Sequence, residues 1–536
     1  MVGSGDSRRW GLFDSAQGGL WRYLSGRGVG NFLGWLLGGR LRREVESCSG
    51  KSFMRRLLLV TVCVSGLLTP SFGHHIKAVS GKTMDVTSSS VKARDLYERA
   101  MEDYENYYLE RANIGWRAAI AADPNLALAQ LWLSYNSENP AEAAGAREKA
   151  KALEGKVNPG EKLMIEWIVN VEQNNFLAGI SAMNDLLEMY PKDKRVQYLA
   201  GNWMMGEQEY ERASRQFEKA LAIDKNYAPA LNDLGYAYAH EREFDKAFAT
   251  MERQIAVKPG QPNPQDSYAE ILRMAGNFQG ALEHYHASLA IDPQFSFSLL
   301  GIADTYALMG DETRARVEYD KAIAGAKNDA ERMQFTLQKA QSWVREGNFA
   351  EADKAFAAAA DRAHELGLDL MEAQAHRMMA MYPTDDAVAL KHLAAAEDAL
   401  SHRAEIAESE KEEERAKILR YRAVRAAHAG NQELAQKTLT QLETMANGGH
   451  SSIIQAQYHG AAGTLLVEKE KYAEAIPHLE EDRNNPYSLE LLSKAEEEAG
   501  TTDQMHDVDS QLRAMNAPTM EQALVVPGVR AKRPTN

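Results

Sequence analysis

Cysteine is almost missing from this chain: two in 536 residues, Cys48 and Cys63. Beyond Cys63 the sequence therefore has no means of forming a disulfide, a thiolate zinc site, an iron–sulfur cluster or a cysteine nucleophile. Positive charge is also short, 61 Lys and Arg against 76 Asp and Glu, for a net charge of −15. Neutralising a phosphate backbone needs a basic surface, and this balance argues against a dedicated nucleic-acid binder. The signatures G-x-S-x-G, G-x-x-x-x-G-K-[ST] and H-E-x-x-H are all absent. What is present is an ordinary apolar content of 44%, enough for a folded core.

The first 73 residues differ from the rest. Residues 1–53 hold 12 of the 38 glycines and the tryptophans Trp10, Trp21 and Trp35, with no sustained period. Met54-Arg55-Arg56 then leads into a 12-residue apolar run, 57–68, closed by Ser71-Phe72-Gly73. A basic start, a short apolar run and a small-x-small exit make a secretory signal peptide over 54–73, with cleavage expected after Gly73. The run falls short of the ~20 residues that span a bilayer, so no stable membrane span is expected. Translation from Met54 is the simplest account, which leaves 1–53 as a non-native or disordered extension. A polar linker follows at 74–91.

From residue 92 the chain repeats itself. Ala213, Ala247, Ala281 and Ala315 recur at a constant interval of thirty-four. Twelve residues before each stands a small residue, Gly201, Gly235, Ala269 and Ala303, and four after each a large one, Phe217, Met251, Tyr285 and Tyr319. Large residues at Leu231, Leu234 and Tyr238 form one helical stripe, and Ala247, Met251 and Ile255 a second. Gly235 and Ala247 let the two helices approach where they cross, with Met251 filling the space beside them. Pro259 and Pro293 end the second helices. One such hairpin cannot bury its own apolar face, so neighbours must stack on it.

This pattern resembles the tetratricopeptide repeat family, of the kind exported by bacteria. The resemblance is clearest at 194–329 and extends over 92–515. Upstream, Trp167 occupies a small-residue position and is expected to push its helices apart. Downstream, Ala340, Gly347, Ala352 and Phe356 fit after a three-residue insertion, and the register of 367–415 is undecided. The implied fold is all-α, a right-handed superhelical solenoid of about 10–12 antiparallel hairpins. The charge run at 405–417 reads as a solvated helix face, and 516–536, with Pro518, Pro527 and Pro534, as a disordered tail.

In the family, first helices line a concave groove. Carried onto this sequence, the groove positions include Tyr198, Asn202, Asn232, Tyr236, Asp266, Glu270, Arg273 and Asp304, together with Met205, His240 and Met274. Asn202 and Asn232 can pair with an extended peptide backbone, and Tyr198 and Tyr236 offer flat apolar area. Tyr198 and Ser267 stand where a carboxylate clamp would need cations, which argues against that use. Asp266, Glu270 and Asp304 favour a neutral or basic segment. The histidines show no metal spacing, and no catalytic residue, cofactor or metal site is expected. The expectation is a non-enzymatic, periplasmic or secreted scaffold that binds protein or peptide segments in its groove. The alternative is a cytoplasmic or membrane-associated regulator that acts on a separate signalling partner.

Overall fold

The computed structural model describes residues 83–532 apart from 138, 383–384, 403–405 and 450. The expected extension, signal peptide, cleavage point and Met54 start lie outside the described residues. Within them are 25 α-helices and no strand. They pair in chain order into twelve hairpins followed by one single helix. Among the described residues no helix is long and apolar enough to cross a membrane.

The first three hairpins are α1 (Val91–Glu105) with α2 (Leu109–Ala122), α3 (Ala127–Asn136) with α4 (Pro140–Leu153), and α5 (Pro159–Glu172) with α6 (Phe176–Met189). The regular centre runs α7 (Lys194–Gly206), α8 (Tyr210–Ile223), α9 (Ala228–His240), α10 (Phe244–Val257), α11 (Pro262–Met274), α12 (Phe278–Ile291), α13 (Ser296–Leu308) and α14 (Glu312–Gly325). Next come α15 (Asp329–Arg345), α16 (Phe349–Leu366), α17 (Asp369–Met379), α18 (Asp386–Ala399), α19 (Glu408–His428) and α20 (Gln432–Gly449). The chain ends with α21 (Ser452–Glu468), α22 (Tyr472–Glu480), α23 (Pro486–Ala499), α24 (Thr502–Arg513) and α25 (Met520–Ala531). Each helix packs on the next, and odd-numbered helices also stack on one another from α7 onward. The odd helices therefore form an inner wall and the even ones an outer wall.

Caps fix several helix starts. Asp193 Oδ1 accepts from the backbone N–H groups of Arg195 (2.9 Å) and Val196 (3.2 Å), and Asn158 and Glu161 form a reciprocal capping box at α5. Gly235 does what the spacing predicts, and Gly301, outside that pattern, makes a second close approach, between neighbouring hairpins. A Cβ on Gly235 would sit 2.0 Å from Met251 Cε, and one on Gly301 would sit 2.3 Å from the Tyr285 ring. The two contacts differ in what can give way. Met251 meets Gly235 with the free end of an unbranched side chain, whereas Tyr285 is a stiff ring only 1% exposed. Gly301→Ala is expected to cost about 1–3 kcal/mol, and Gly235→Ala to be near neutral as helix propensity offsets a small shift of Met251. Thermal denaturation of the two variants side by side checks this; equal melting temperatures would refute it.

Three sequence expectations are corrected and one is extended. Trp167 does not push α5 and α6 apart, because the partner position is itself vacated: Gly179 stands one repeat before Ala213, and its Cβ would lie 3.0 Å from the Trp167 carbonyl oxygen. Large and small have changed sides of the same crossing. The tail is not disordered as far as residue 532, since Met520, Val525, Val526 and Val529 are buried on α25, at most 5% exposed. The charge run is not a solvated face either: Glu413 and Glu414 are buried, and Glu414 binds Arg377 at 2.6 Å. Finally, the second half of the linker is seated on the array. Met84 N donates to Asp193 Oδ2 at 2.7 Å, and Thr87 N to Glu161 Oε1 at 2.9 Å.

The array also touches itself across successive turns. Ser409 Oγ donates to the Glu172 carbonyl (3.2 Å), Ser452 N and Oγ donate to Glu207 (2.9 and 2.7 Å), and Asn484 binds Gln208. These contacts link α5–α8 to α19–α23, far later in the chain.

Candidate functional site

The inner helices of both halves enclose a cavity of about 370 Å³. One wall comes from α7, α9 and α11 and includes Met205, Tyr236, His240 and Met274; the facing wall comes from α17, α19 and α21, with Arg377, Met378, Tyr421 and Ile453. The segment 514–521 closes one side. It is held in place by main-chain contacts: Gln341 Nε2 donates to the Pro518 carbonyl at 2.8 Å, and Asn516 Nδ2 to the Met274 carbonyl at 3.1 Å. The chain thus lays a short stretch of its own backbone along its inner face.

Of the eight residues expected to line a groove, Tyr236 and Glu270 border this cavity. All eight sit on inner helices, yet none is more than 5% exposed. Asn232 shows why it cannot pair with a visiting backbone. Its Oδ1 accepts from Ser267 Oγ (2.7 Å), Gln254 Nε2 (2.9 Å) and Asn263 Nδ2 (3.1 Å), while its Nδ2 donates to Tyr107 Oη (3.0 Å) and Asp233 (2.9 Å). The amide's capacity is fully used. Asn202 donates to Asp233 at 3.2 Å, and Tyr198 packs edge-on against Tyr227 beside it. The cover is the first hairpin: Tyr107, at the α1–α2 turn, donates to Asp233 Oδ1 at 2.8 Å, and Glu105 binds Arg195 and Tyr227.

The acidic residues are likewise engaged. Glu270 accepts from Tyr236 (2.9 Å) and Arg273 (2.8 Å); Asp304 accepts from Arg273 (3.2 Å) and Tyr319 (2.6 Å); Asp266 accepts from Ser298 (2.6 Å). The charge that was expected to attract a basic segment is met inside the wall.

The turns between first and second helices fix the register independently of side chains. Asn174, Gln208, Arg242, Gly276 and Gly310 all have a left-handed backbone, φ 60 to 84°, each one repeat length after the last. Gly347 follows at φ 77°, displaced by the three-residue insertion. Such a turn favours glycine, which two of these five positions supply. Turn conformation, helix crossing and small-against-large contact share one period, and the chain folds as an α-solenoid of tetratricopeptide-type hairpins.

No family model matches the sequence. Anaphase-promoting complex subunit 3 of Schizosaccharomyces pombe is 22% identical over 178 residues, which are 33% of this chain and 27% of that protein. The tetratricopeptide array thus spans little more than a quarter of the curated relative it matches. Among solved structures, a tetratricopeptide repeat protein from Parabacteroides merdae is 16% identical, covering 53% of this chain and 99% of its own, with a TM-score of 0.31. A thermophilic protein of the same repeat type from Thermus thermophilus is 20% identical over 34% of this chain and 98% of its own, with a TM-score of 0.29.

Burial dominates the electrostatics of the array's inner wall. Burial pushes the Asp233 carboxyl up to about 6, against hydrogen bonds from Asn232, Tyr107 and Asn202 that pull it down. Asp304 is likewise raised to about 6, opposed by Arg273 and Tyr319. A carboxyl whose folded pKa exceeds its unfolded value holds its proton more tightly when folded. Its stabilising contribution is complete below about pH 4 and is lost as pH rises through about 6. Asp233→Asn is therefore expected to flatten the fall in stability between pH 4 and 6, a difference on the order of 3 kcal/mol. Melting curves of both proteins at half-unit pH intervals test this, and parallel pH profiles would refute it.

Met205, His240 and Met274, also read as groove positions, border the cavity. Sequence reasoning missed the far wall: Arg377 and Met378 because the register of 367–415 was undecided, and Tyr421 and Ile453 because groove positions were carried only onto the repeats of 194–329. The Met378-Met379 pair was the available signal.

Proposed function

We propose that this tetratricopeptide-type solenoid is a non-enzymatic scaffold that takes a short protein segment into its central cavity. The observation that carries the reading is the stretch 515–519, a non-helical piece of backbone held on the inner face by the Gln341 amide on the Pro518 carbonyl and by its own Asn516 amide on the Met274 carbonyl. Around it stand flexible or flat apolar groups, Met205, Met274, Met378, Met520 and Tyr421, a surface able to repack around different side chains. Because the acidic groups already have internal partners, the preferred segment is neutral rather than basic.

The test is a peptide array probed with the full chain and with Met274→Glu/Met378→Glu. The expected result is a set of neutral segments bound at micromolar affinity and weakened at least tenfold by the double variant, a change of about 1.4 kcal/mol or more. Binding unaffected by the double variant would refute the cavity as the site.

We further propose that the protein is exported. The support is the sequence at 54–73, with its paired arginines, 12-residue apolar run and Ser71-Phe72-Gly73 exit. N-terminal peptide mapping of separated cell fractions decides it. A chain beginning at His74 in the envelope fraction is the expected outcome, and a cytoplasmic chain that retains Met54 overturns it.

A further inference from the structure

Outside the cavity, three side chains that are far apart in sequence converge where α16, α17 and the end of α18 meet. They are His364 in the last turn of α16, Glu372 on the fourth residue of α17, and His402 just beyond α18. One ligand atom from each lies within 4.8 Å of the other two. His364 Nδ1 is 3.0 Å from Glu372 Oε2. The two imidazoles are exposed while the Glu372 side chain is only 12% exposed, so the carboxylate sits beneath two rings that converge on it from the solvent side.

We propose that His364, Glu372 and His402 form a binding site for a divalent transition-metal ion, with zinc the best match. Two imidazoles and one carboxylate are a zinc ligand set that leaves a fourth position for water. Ligands about 2.0–2.2 Å from one ion stand roughly 3–3.6 Å from each other. His364 and Glu372 already meet that spacing, and His402, past the end of its helix, has to approach from within 4.8 Å to complete it. Asp398 supplies the supporting contact. Its Oδ2 lies 3.4 Å from Nε2 of His402, the kind of carboxylate interaction that fixes the tautomer of a ligating imidazole.

Two other imidazole pairs serve as internal comparisons. His376 and His392 face each other with Nδ1 atoms 3.3 Å apart, and His459 and His478 at 2.9 Å. Neither pair belongs to a group of three convergent donors among the described residues. Two ligands hold an ion far less well than three, so the proposal assigns the tight site to the trio alone.

The experiment is calorimetric titration of the full chain with Zn²⁺, followed by His402→Ala, Glu372→Gln and His376→Ala. The expected result is one saturable equivalent that is weakened at least tenfold by His402→Ala and by Glu372→Gln, and unchanged by His376→Ala. Circular dichroism should show unaltered helicity in all three variants. A cobalt-substituted sample should show ligand-field absorption in the wild type and lose it in His402→Ala. Two results would overturn the assignment: no saturable binding at ~100 µM Zn²⁺, a free energy of only about 5.5 kcal/mol, or a loss that follows His376→Ala instead of His402→Ala.

Discussion

Ending the chain after Ala514 is expected to lower the melting temperature by several degrees and to open the central cavity to solvent. The deletion removes the non-helical stretch 515–519 and α25. Met520, Val525, Val526 and Val529 are each at most 5% exposed, and burying such side chains contributes about 1.5–3 kcal/mol apiece. Gln341, now 4% exposed, loses its acceptor on Pro518, and the Met274 carbonyl loses Asn516. Binding of a hydrophobic dye should rise as the valine-covered faces of α23 and α24 reach water. An unchanged melting temperature with no gain in dye binding would show that the stretch does not sit on the inner face.

The second large effect is expected at Arg273. Its guanidinium is 0% exposed and bridges Glu270 at 2.8 Å and Asp304 at 3.2 Å, carboxylates that are themselves 2% and 0% exposed. Arg273→Ala leaves two like charges buried side by side without a cation, at a cost of about 3–5 kcal/mol. Part of that loss should return when both carboxylates are neutralised, in Arg273→Met/Glu270→Gln/Asp304→Asn, because no uncompensated charge then remains. Denaturant unfolding of the single and triple variants measures the difference. A single variant within about 1 kcal/mol of wild type would mean that water already solvates the pair.

The fold was legible because a solenoid repeats its physics. Gly201 and Gly235 announce a helix crossing by their size alone, and the interval between them fixes the hairpin length. The Trp167–Gly179 exchange was misread because one small residue at a crossing suffices, and either helix can supply it. The last helix was missed since its apolar residues occupy only 12 positions and Pro527 interrupts them. The candidate site was legible only in part. Of the groove positions, Tyr236 and Glu270 border the cavity. Whether an inner position meets solvent or another part of the chain depends on the accumulated rotation of many hairpins, which no single repeat reveals. For the same reason Asn232 was read as available while Tyr107, 125 residues earlier, consumes it. The steps from His364 to Glu372 and on to His402 match no metal signature, because hairpin packing brings the three together rather than one element.

The bonds between Ser409 and Glu172, Ser452 and Glu207, and Asn484 and Gln208 give the molecule a mechanical character of its own. An open coil of hairpins stretches like a soft spring, each crossing yielding a little under load. Here successive coils are clasped at the α5–α6 and α7–α8 turns, so tension applied at the two ends first loads those few polar contacts in parallel. Extension then begins as a discrete release rather than a gradual give, and below that threshold the coil transmits force as a stiff body.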